Sequence, residues 1–355
     1  MRLSSMREIL ENTAIDHVYY RSYDPLVRCV GREYTPHRAA QIAMLVGGGR
    51  LGWTPDVVQA MYWPLNSRIE LVWNLDDSGP AFATDAGEWD RPARADVVEA
   101  GAAPAWVKAL EANVKTSGNL YGLAEQPKAV GQAPVLYIAD DTTRAHAPEI
   151  AQAMQLLLRA AGCDFTTLAQ GTDGWALYDL GLWELARQKA TEFAGWIRAS
   201  GARTVVANCP ALVYALREWY PTLGLRLEAE VLHHSEFLLK LGMRGKFAGR
   251  VTFHDPSYLS RYLHQVEAPR ALLGRVEGLE LAECYFKGEK ANPSGPLAVF
   301  FHEGYAEQIA ARRADELALA ARIVVTAAPA SKRNLARVAR ARGLQVLDIA
   351  EVLAC

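Results

Sequence analysis

The sequence predicts an α/β fold built from two Rossmann-like repeats and preceded by a mainly helical region. From Val135 onward, short β-branched runs alternate with amphipathic helical segments, a pattern typical of parallel sheets covered by helices. The order of these runs then recurs at nearly one period. Half of the 355 residues are hydrophobic, which is enough for the cores of two or three domains and excludes disorder of the whole chain.

Three predicted strands establish the repeat. Residues 251–254, 323–326 and 346–347 lie 116, 119 and 115 positions after residues 135–138, 204–207 and 231–232. A copy of that size is a comfortable domain rather than one unit of a stacked solenoid. We therefore predict a first repeat at residues 131–248 and a second at residues 249–355, related by a pseudo-twofold axis.

Residues 1–130 have a different texture and form a predicted helical N-terminal region. Thr35-Pro36 and Thr54-Pro55 each combine a helix N-cap with a proline at the first helical position. Residues 76–92 are rich in turn formers and predict a long surface loop, whereas residues 105–114 predict another helix. Residues 47–52 match the dinucleotide fingerprint G-x-G-x-x-G, but a predicted helix precedes them where a strand is required, which favours a helix end followed by a tight turn.

Charge and cysteine usage exclude several classes of function. The 38 basic and 40 acidic residues give a net charge of −2 without a cluster of one sign, so no nucleic-acid partner is expected. The start of the chain lacks the apolar segment of a secretion signal, and no stretch approaches the roughly 18 apolar residues of a membrane span. A cytoplasmic protein is expected. Its five cysteines are too far apart for a zinc site and indicate free thiols: Cys29, Cys163, Cys209, Cys284 and Cys355.

Polar residues follow the predicted strands at the positions where α/β proteins bind ligands. In open parallel sheets, ligands sit beyond the carboxyl ends of the strands. The residues at these ends are Asp140 and Asp141, Asn208 and Cys209, His254 and Asp255, and Ala327 and Ala328. If the two repeats face each other, these residues line one shared cleft.

Five segments of the two repeats have a characteristic amino-acid sequence. They are residues 162–168, Cys209-Pro210, Tyr220-Pro221, residues 231–236 and residues 254–262, which read His-Asp-Pro-Ser-Tyr-Leu-Ser-Arg-Tyr. These segments resemble the sequences of the cysteine-rich CCG-domain family. That family includes the iron-sulfur subunits of heterodisulfide reductase and related glycolate-oxidase and anaerobic glycerol-3-phosphate dehydrogenase subunits. The resemblance covers residues 131–355 and implies two CCG-type repeats. It also implies a degenerate ferredoxin-like region in front, whose remnant at residues 63–73 contains no thiol.

The resemblance implies cysteine positions that hold a non-cubane iron-sulfur cluster, and most of them carry other residues here. The early cysteine falls at Asp140 or Asp141, the two Cys-Cys-Gly motifs at Thr172-Asp173-Gly174 and Pro293-Ser294-Gly295, the two Cys-Pro-x-Cys motifs at residues 209–212 and 328–331, and a further cysteine at Ser257. The glycines remain while the thiols do not. A cluster needs about four soft thiolates, whereas carboxylate and hydroxyl oxygens are hard donors. We therefore expect no cluster, no other cofactor and no metal.

Two functional hypotheses follow. The first is a cluster-free, heterodisulfide-reductase-like subunit with a structural or regulatory role in a cytoplasmic redox complex, with sulfur oxidation as the setting that the resemblance implies. Its partners would be heterodisulfide-reductase-like subunits, and homo-oligomerisation is left open. The alternative is an oxidoreductase or small-ligand-binding protein. Its cleft would be lined by Asp140, Asp141, Asp173, Cys209, His254, Asp255, Ser257 and Ser294. Whether the chain is an enzyme is open, and no catalytic residue or substrate is assigned.

Individual residues carry competing interpretations. Cys209 opens a predicted helix, where amide dipoles would lower a thiol pKa and suit a nucleophile, or it is a former ligand without a present role. Histidines 233, 234 and 254 with Asp255 suggest either a metal site or strand-end anchors, Asp255 capping the helix that begins near Ser257. The tryptophans at positions 63, 73 and 175 either fill volume that clusters occupy in relatives or are ordinary packing residues.

Overall fold

Two parallel sheets of four strands each form the centre of the protein, as a computed structural model describes it for residues 1–14, 35–73, 85–124, 128–295 and 303–355. The first sheet contains β1 (Val135–Ile138), β2 (Phe165–Leu168), β3 (Thr204–Ala207) and β4 (Glu230–His233) in the order β2-β1-β3-β4. The second contains β5 (Gly245–Phe253), β6 (Val276–Leu281), β7 (Ile323–Thr326) and β8 (Gln345–Asp348) in the order β6-β5-β7-β8. Because the two orders are equivalent, the predicted α/β fold with two Rossmann-like repeats is confirmed.

Helices surround both sheets. The first repeat has Asp141–His146, Pro148–Ala160, Trp175–Asp179, Trp183–Ala199, Pro210–Tyr214, a π-helical turn at Ala215–Trp219, Tyr220–Thr222 and His234–Lys240. The second has a π-helical turn at Tyr258–Tyr262, then Glu267–Leu273, Glu303–Ala318, Pro329–Ala339 and Ile349–Leu353. The N-terminal region contains Arg7–Ala14, Pro36–Gly47, Pro55–Met61, Ile69–Trp73, Gly87–Glu99 and Ala105–Ser117.

The outer helices of the repeats pack in reciprocal pairs. The helix Pro148–Ala160, which follows β1, contacts Ile349–Leu353 after β8. In the same way Glu267–Leu273, which follows β5, contacts His234–Lys240 after β4. β1 of the first repeat corresponds to β5 of the second, and β4 corresponds to β8. The two helix pairs are therefore equivalent contacts, related by an exchange of the repeats. This is the relation that a twofold arrangement of two similar units produces.

The two repeats share one apolar core. Tyr137 and Val206 of the first sheet pack in the same cluster as Phe253 and Val325 of the second. Buried polar contacts cross the same boundary: His233 Nε2 lies 3.0 Å from the carbonyl oxygen of Ala327, and His234 Nε2 lies 3.0 Å from Asp348 Oδ1. The relative placement of the repeats is therefore held by burial and by specific polar pairs.

The helix Gly87–Glu99 of the N-terminal region packs on the first repeat. Arg91 Nε donates to Asp179 Oδ1 at 2.6 Å, and Arg94 Nη1 donates to the carbonyl oxygen of Asp179 at 2.8 Å. The prediction of a surface loop at residues 76–92 is wrong over residues 87–92, because burial of Trp89 and these contacts override the turn-forming residue types. Residues 76–84 lie outside the described residues.

The predicted helix starts in the N-terminal region are confirmed. Thr35 Oγ1 accepts from Arg38 N at 3.3 Å, and Thr54 Oγ1 accepts from Val57 N at 3.4 Å. The glycines at 47–49 end a helix instead of following a strand, so this segment is not a dinucleotide-binding turn. None of the helices in the described part of the chain combines the length and apolar character that a membrane span requires.

Candidate functional site

A cleft lies between the two repeats, beyond the carboxyl ends of β1, β3, β5 and β7. Its walls are reciprocal as well: Pro210–Tyr214 contacts the turn Tyr258–Tyr262, and Asp141–His146 contacts Pro329–Ala339. About 120 Å³ inside it is accessible to the centres of water molecules. Since one water needs roughly 10–15 Å³ by this measure, the cleft has room for several waters or for one small organic molecule.

The sequence predicts eight residues that line a cleft, and six of them do line the cleft between the repeats. They are Asp140, Asp141, Asp173, Cys209, Ser257 and Ser294. Residues 120 and 121 of the N-terminal region also contribute to the wall. The cleft is thus formed by both repeats together with the segment that precedes them.

His254 and Asp255, the other two predicted cleft residues, are not among the lining residues. His254 Nδ1 accepts from Arg313 Nε at 3.1 Å. The Asp255 carboxylate accepts from Arg270 Nη1 and Nη2 at 2.7 and 2.9 Å and from Gly288 N at 2.8 Å. These partners explain the difference from the prediction, and they occupy the Asp255 carboxylate that was expected to cap the following helix.

The histidines suggested as metal ligands hold contacts within the protein instead. His233 ends β4 and His234 begins the next helix, and both rings are fully buried between the repeats. Burial and then the charge of Arg313 keep the pKa of His254 well below its ordinary value. Within the described ranges, no three His, Cys, Asp or Glu side chains are placed to hold a metal ion.

The first repeat supplies an acidic wall. Asp140 caps the helix after β1 by accepting from Thr143 N at 3.3 Å, Asp141 accepts from Leu120 N at 3.3 Å, and Asp173 accepts from Trp175 N at 2.7 Å. Burial, followed by the charge of Asp140, raises the pKa of Asp141 to about 6. Burial, followed by the charge of Asp141, raises the pKa of Asp173 to about 7. Asp141 and Asp173 therefore change protonation near neutral pH, and their titrations are coupled to each other and to the charge of Asp140.

Cys209 lies beside this wall, and of its two interpretations the structure does not support the one in which helix amides lower the thiol pKa. Burial and then the nearby Asp140 carboxylate raise the pKa of the Cys209 thiol well above its ordinary value. The thiol also hydrogen-bonds the Asp140 side chain. The amides of the following helix act in the opposite direction but are weaker than these two effects. Cys209 is thus a thiol, and a poor nucleophile, at neutral pH.

The second repeat supplies a wall of hydroxyl groups and small apolar side chains. Ser257 Oγ accepts from Arg261 Nη2 at 2.7 Å, and Ser294 Oγ donates to Ser331 Oγ at 3.2 Å. Arg333 contributes a guanidinium group to this wall, and its Cζ atom lies 5.6 Å from the centre of the Tyr121 ring. The two repeats therefore offer unlike chemistry to the same space.

Aromatic rings form a third part of the wall, which the sequence reasoning largely missed. Trp175 and Tyr258 line the cleft, and Trp175 Nε1 donates to the Tyr258 hydroxyl at 2.8 Å. Of the tryptophans suggested to fill vacated volume, Trp175 lies at the cleft, Trp63 packs against the apolar core elsewhere, and the side chain of Trp73 lies outside the described residues. The position of Trp175 directly after the Gly174 motif was the available signal.

Nearly all positions to which the resemblance assigns cluster cysteines meet at this cleft. The lining includes Asp140, Asp141, Thr172, Asp173, Cys209, Leu212, Ser257, Ser294, Ala328 and Ser331, and it omits Pro293. Cys209 is the one thiol among the described lining residues. Because an iron-sulfur cluster needs about four thiolates, this donor set does not fit one.

The remaining cysteines do not complete the set. Cys163 and Cys284 pack in separate apolar clusters, and Cys284 Sγ lies 3.6 Å from the carbonyl oxygen of Glu316. Cys355 is exposed. Cys29 lies outside the described residues.

The fold and the site together define a two-repeat α/β protein with one cleft between its repeats. No family model matches the chain. It is 30% identical over 170 residues to the D subunit of dihydromethanophenazine:CoB–CoM heterodisulfide reductase from Methanosarcina acetivorans, which covers 44% of this chain and 41% of the relative. It is 28% identical over 253 residues to the same protein from Methanosarcina barkeri, covering 64% and 60%.

Another relative is a probable iron-sulfur-binding oxidoreductase of Bacillus subtilis, 32% identical over 106 residues, which cover 28% of this chain and 14% of the relative. By sequence, the chain is therefore related to the heterodisulfide reductase D subunits and to iron-sulfur oxidoreductases, and its matched part spans 41 to 60% of the two Methanosarcina proteins. Among solved structures, a hypothetical protein from Helicobacter pylori matches with a TM-score of 0.46 and 11% identity over 70% of this chain and 53% of that one.

Proposed function

We propose that the chain is a cluster-free relative of heterodisulfide reductase iron-sulfur subunits, with a structural or regulatory role in a cytoplasmic redox complex. The observation that carries this proposal is the convergence of the matched cysteine positions on one cleft that contains a single thiol, Cys209, among its described residues. Oxygen and carbon atoms occupy the places of the other ligands. The architecture of a cluster site is thus kept without the donors that a cluster requires.

The same reasoning extends to domains and partners. We propose a helical, degenerate ferredoxin-like region at residues 1–130, a first CCG-like repeat at 131–248 and a second at 249–355. The two Methanosarcina relatives are, by their names, subunits of a heterodisulfide reductase. This supports protein subunits of a heterodisulfide-reductase-like system as partners, and the sulfur-oxidising type is the setting that we propose.

The direct test is the iron content of the protein. The full chain would be purified without oxygen, and iron and acid-labile sulfide would be measured per chain together with the visible absorption spectrum. We expect only traces of iron and no visible band. Iron and sulfide in stoichiometric amounts would contradict the proposal.

Restoring thiols provides a matched comparison. A triple variant, Ser257→Cys, Ser294→Cys and Ser331→Cys, would place four thiols at the cleft together with Cys209. After anaerobic reconstitution with iron and sulfide, we expect uptake by this variant and none by the wild type or by the corresponding triple alanine variant. Equal uptake by the wild type would show that the existing donors suffice.

The second candidate function uses the cleft itself, as an oxidoreductase or small-ligand-binding site. It is favoured by the carboxyl groups at positions 140, 141 and 173, whose pKa values are raised, because perturbed acids in a cleft are typical of functional sites. Native co-purification separates the two functions. A scaffold retains its partner subunits when the cleft carboxyls are replaced by amides, whereas a ligand site loses its ligand.

A further inference from the structure

We propose that the cleft binds a small organic ammonium ion, held against the carboxylates of Asp140, Asp141 and Asp173. The inference rests on the second candidate function above, in which the cleft is a ligand site, and it assigns the chemical class of the ligand.

The pairing of buried aspartates in the rest of the protein is the first observation. In the described part of the chain, each buried aspartate outside the acidic wall lies within 4 Å of a basic side chain: Asp85 with Arg68, Asp90 with Arg94, Asp96 with Arg2, Asp179 with Arg91, Asp255 with Arg270, and Asp348 with His234. Buried carboxylates require such partners because unpaired charge in a protein interior is unfavourable.

The carboxyls of the acidic wall break this pattern. Asp140 and Asp141 are 6% and 4% exposed, and Asp173 stands beside them. Within the described residues, none of the three forms an ion pair with Lys, Arg or His, although their neighbours supply hydrogen bonds. The charge of Arg144 lowers the pKa of both Asp140 and Asp141, while its guanidinium donates to two backbone carbonyl oxygens and forms no ion pair with either within the described residues. All three carboxyls face a space that is open to a ligand, and the partner that this wall lacks is a positive charge.

A fourth carboxylate of the cleft lining, outside the acidic wall, gives an independent indication. Asp179 is 1% exposed and lines the cleft. Its Oδ1 atom is paired with Arg91, but its Oδ2 atom is buried without a hydrogen bond and lies 3.9 Å from Arg94 Nη1. A buried carboxylate oxygen in that condition has unused capacity to accept a hydrogen bond, which an ammonium group can donate.

The remaining walls select an organic cation. No three acidic, thiol or imidazole side chains in the described part of the chain are placed for a metal ion. Leu120 and Leu212 offer apolar surface, and Trp175 and Tyr258 add aromatic side chains to the lining. Arg333 on the second-repeat wall repels a second positive charge. The cleft therefore suits a compact molecule with one ammonium end and an uncharged or polar remainder.

The test compares three probes of similar size and different charge: n-butylammonium, 1-butanol and butyrate. Binding to the full-length wild type would be measured by titration calorimetry and ligand-observed NMR. We expect butylammonium to bind at least about tenfold more tightly than butanol, and butyrate not to bind. Comparable binding of butylammonium and butanol, or no binding of butylammonium at millimolar concentration, would overturn the proposal.

Amide variants locate the binding site. Asp141→Asn and Asp173→Asn keep an oxygen acceptor for the backbone amides that they bond, and together they remove two ionisable carboxyl groups. We expect the double variant to lose about tenfold or more in butylammonium affinity, while the exposed Asp164→Asn control keeps the wild-type value. Thermal unfolding verifies that each variant is folded, and the single variants serve if the double variant is not.

Unchanged affinity in folded amide variants would overturn the assignment. The iron measurement on the same preparation is independent of this result. Failure of the ammonium site is therefore distinguishable from failure of the cluster-free proposal.

Discussion

Cys209 and Asp140 show, at the scale of single residues, how burial decides the chemistry of a side chain. Cys209 precedes the helix Pro210–Tyr214, a position that lowers the pKa of a solvated thiol. In this protein, burial by the surrounding atoms reduces the hydration of a Cys209 thiolate, and the adjacent Asp140 carboxylate disfavours a second negative charge. Both effects raise the pKa of the thiol. The thiol accordingly acts as a hydrogen-bonding partner of Asp140.

The raised pKa of Cys209 predicts that this thiol reacts slowly with alkylating reagents. Treatment of the native protein with iodoacetamide near neutral pH should alkylate the exposed Cys355 at least about tenfold faster than Cys209, because only the thiolate reacts. Raising the pH to about 9 should leave Cys209 slow, because burial and the Asp140 carboxylate keep its thiol protonated. Peptide mass mapping gives both rates from one sample. Equal rates at the two positions would contradict the raised pKa of Cys209.

Residues 254–262, the most specific part of the family resemblance, are explained by contacts that hold the fold. Arg261 Nε donates to the carbonyl oxygen of Ser67 at 2.5 Å, and its Nη1 donates to that of Ala291 at 2.8 Å. Tyr262 donates its hydroxyl to the carbonyl oxygen of Asn66 at 2.8 Å. The segment joins the second repeat to the N-terminal region, so the resemblance at these positions reflects architecture.

At the scale of elements, the two glycines at the positions that the resemblance assigns to Cys-Cys-Gly motifs have a conformational reason to be there. Gly174 and Gly295 have φ values of 87° and 72°, in the left-handed region that side chains disfavour. An added Cβ at Gly174 would also lie 2.5 Å from the carbonyl oxygen of Ala186. The turns that present Asp173 and Ser294 to the cleft thus require glycine whether or not thiols precede it.

Gly174→Ala should therefore destabilise the protein by about 2 kcal/mol or more, from strain at positive φ and from the close approach to Ala186. Gly195→Ala is the control, since Gly195 lies inside the helix Trp183–Ala199 with open space around an added Cβ. That change should stabilise by about 0.5–1 kcal/mol. Denaturant unfolding measures both. A tolerated Gly174→Ala would show that the turn adapts.

The strands illustrate which elements a sequence can reveal. β1, β3 and β7 were predicted to the residue, because central parallel strands are buried on both faces and read as continuous β-branched runs. β2 and β6 were not predicted as strands. They lie at the edges of their sheets, where partial exposure dilutes the apolar pattern. The helix at 87–99 was likewise hidden, because its ion pairs join residues distant in sequence.

The same limit applies to the site. The rule of strand ends located Asp140, Asp141 and Cys209, and the resemblance added Asp173, Ser257 and Ser294. His254 and Asp255 also follow a strand, yet Arg313 and Arg270 hold them away from the cleft. Strand position alone cannot identify such partners, since they lie 59 and 15 residues further along the chain. The unpaired state of the acidic wall required the structure.

At the scale of the whole molecule, Lys332 joins the two repeats. It is 6% exposed, and its ammonium group contacts Glu149 of the first repeat and Glu351 of the second. Lys332 therefore bridges the helices Pro148–Ala160 and Ile349–Leu353, which pack against each other. Glu149 is partly exposed, so removal of the Lys332 ammonium chiefly leaves the largely buried Glu351 carboxylate without compensation.

Lys332→Gln should cost about 2–4 kcal/mol of unfolding free energy. Lys240→Gln, which breaks an exposed pair with Glu230, should cost less than about 0.5 kcal/mol. Urea titrations of the three proteins give the comparison. A loss at Lys332 no larger than that at Lys240 would mean that the inter-repeat pair contributes little to the docking of the repeats.

The unlike walls of the cleft give it a direction. Both repeats have the same strand order, yet every carboxylate of the described lining comes from the first and its guanidinium, on Arg333, comes from the second. Two identical halves would accept a guest equally well in either of two poses. Here the halves have diverged, so the electric field across the cleft points one way, and a polar guest meets a single preferred pose.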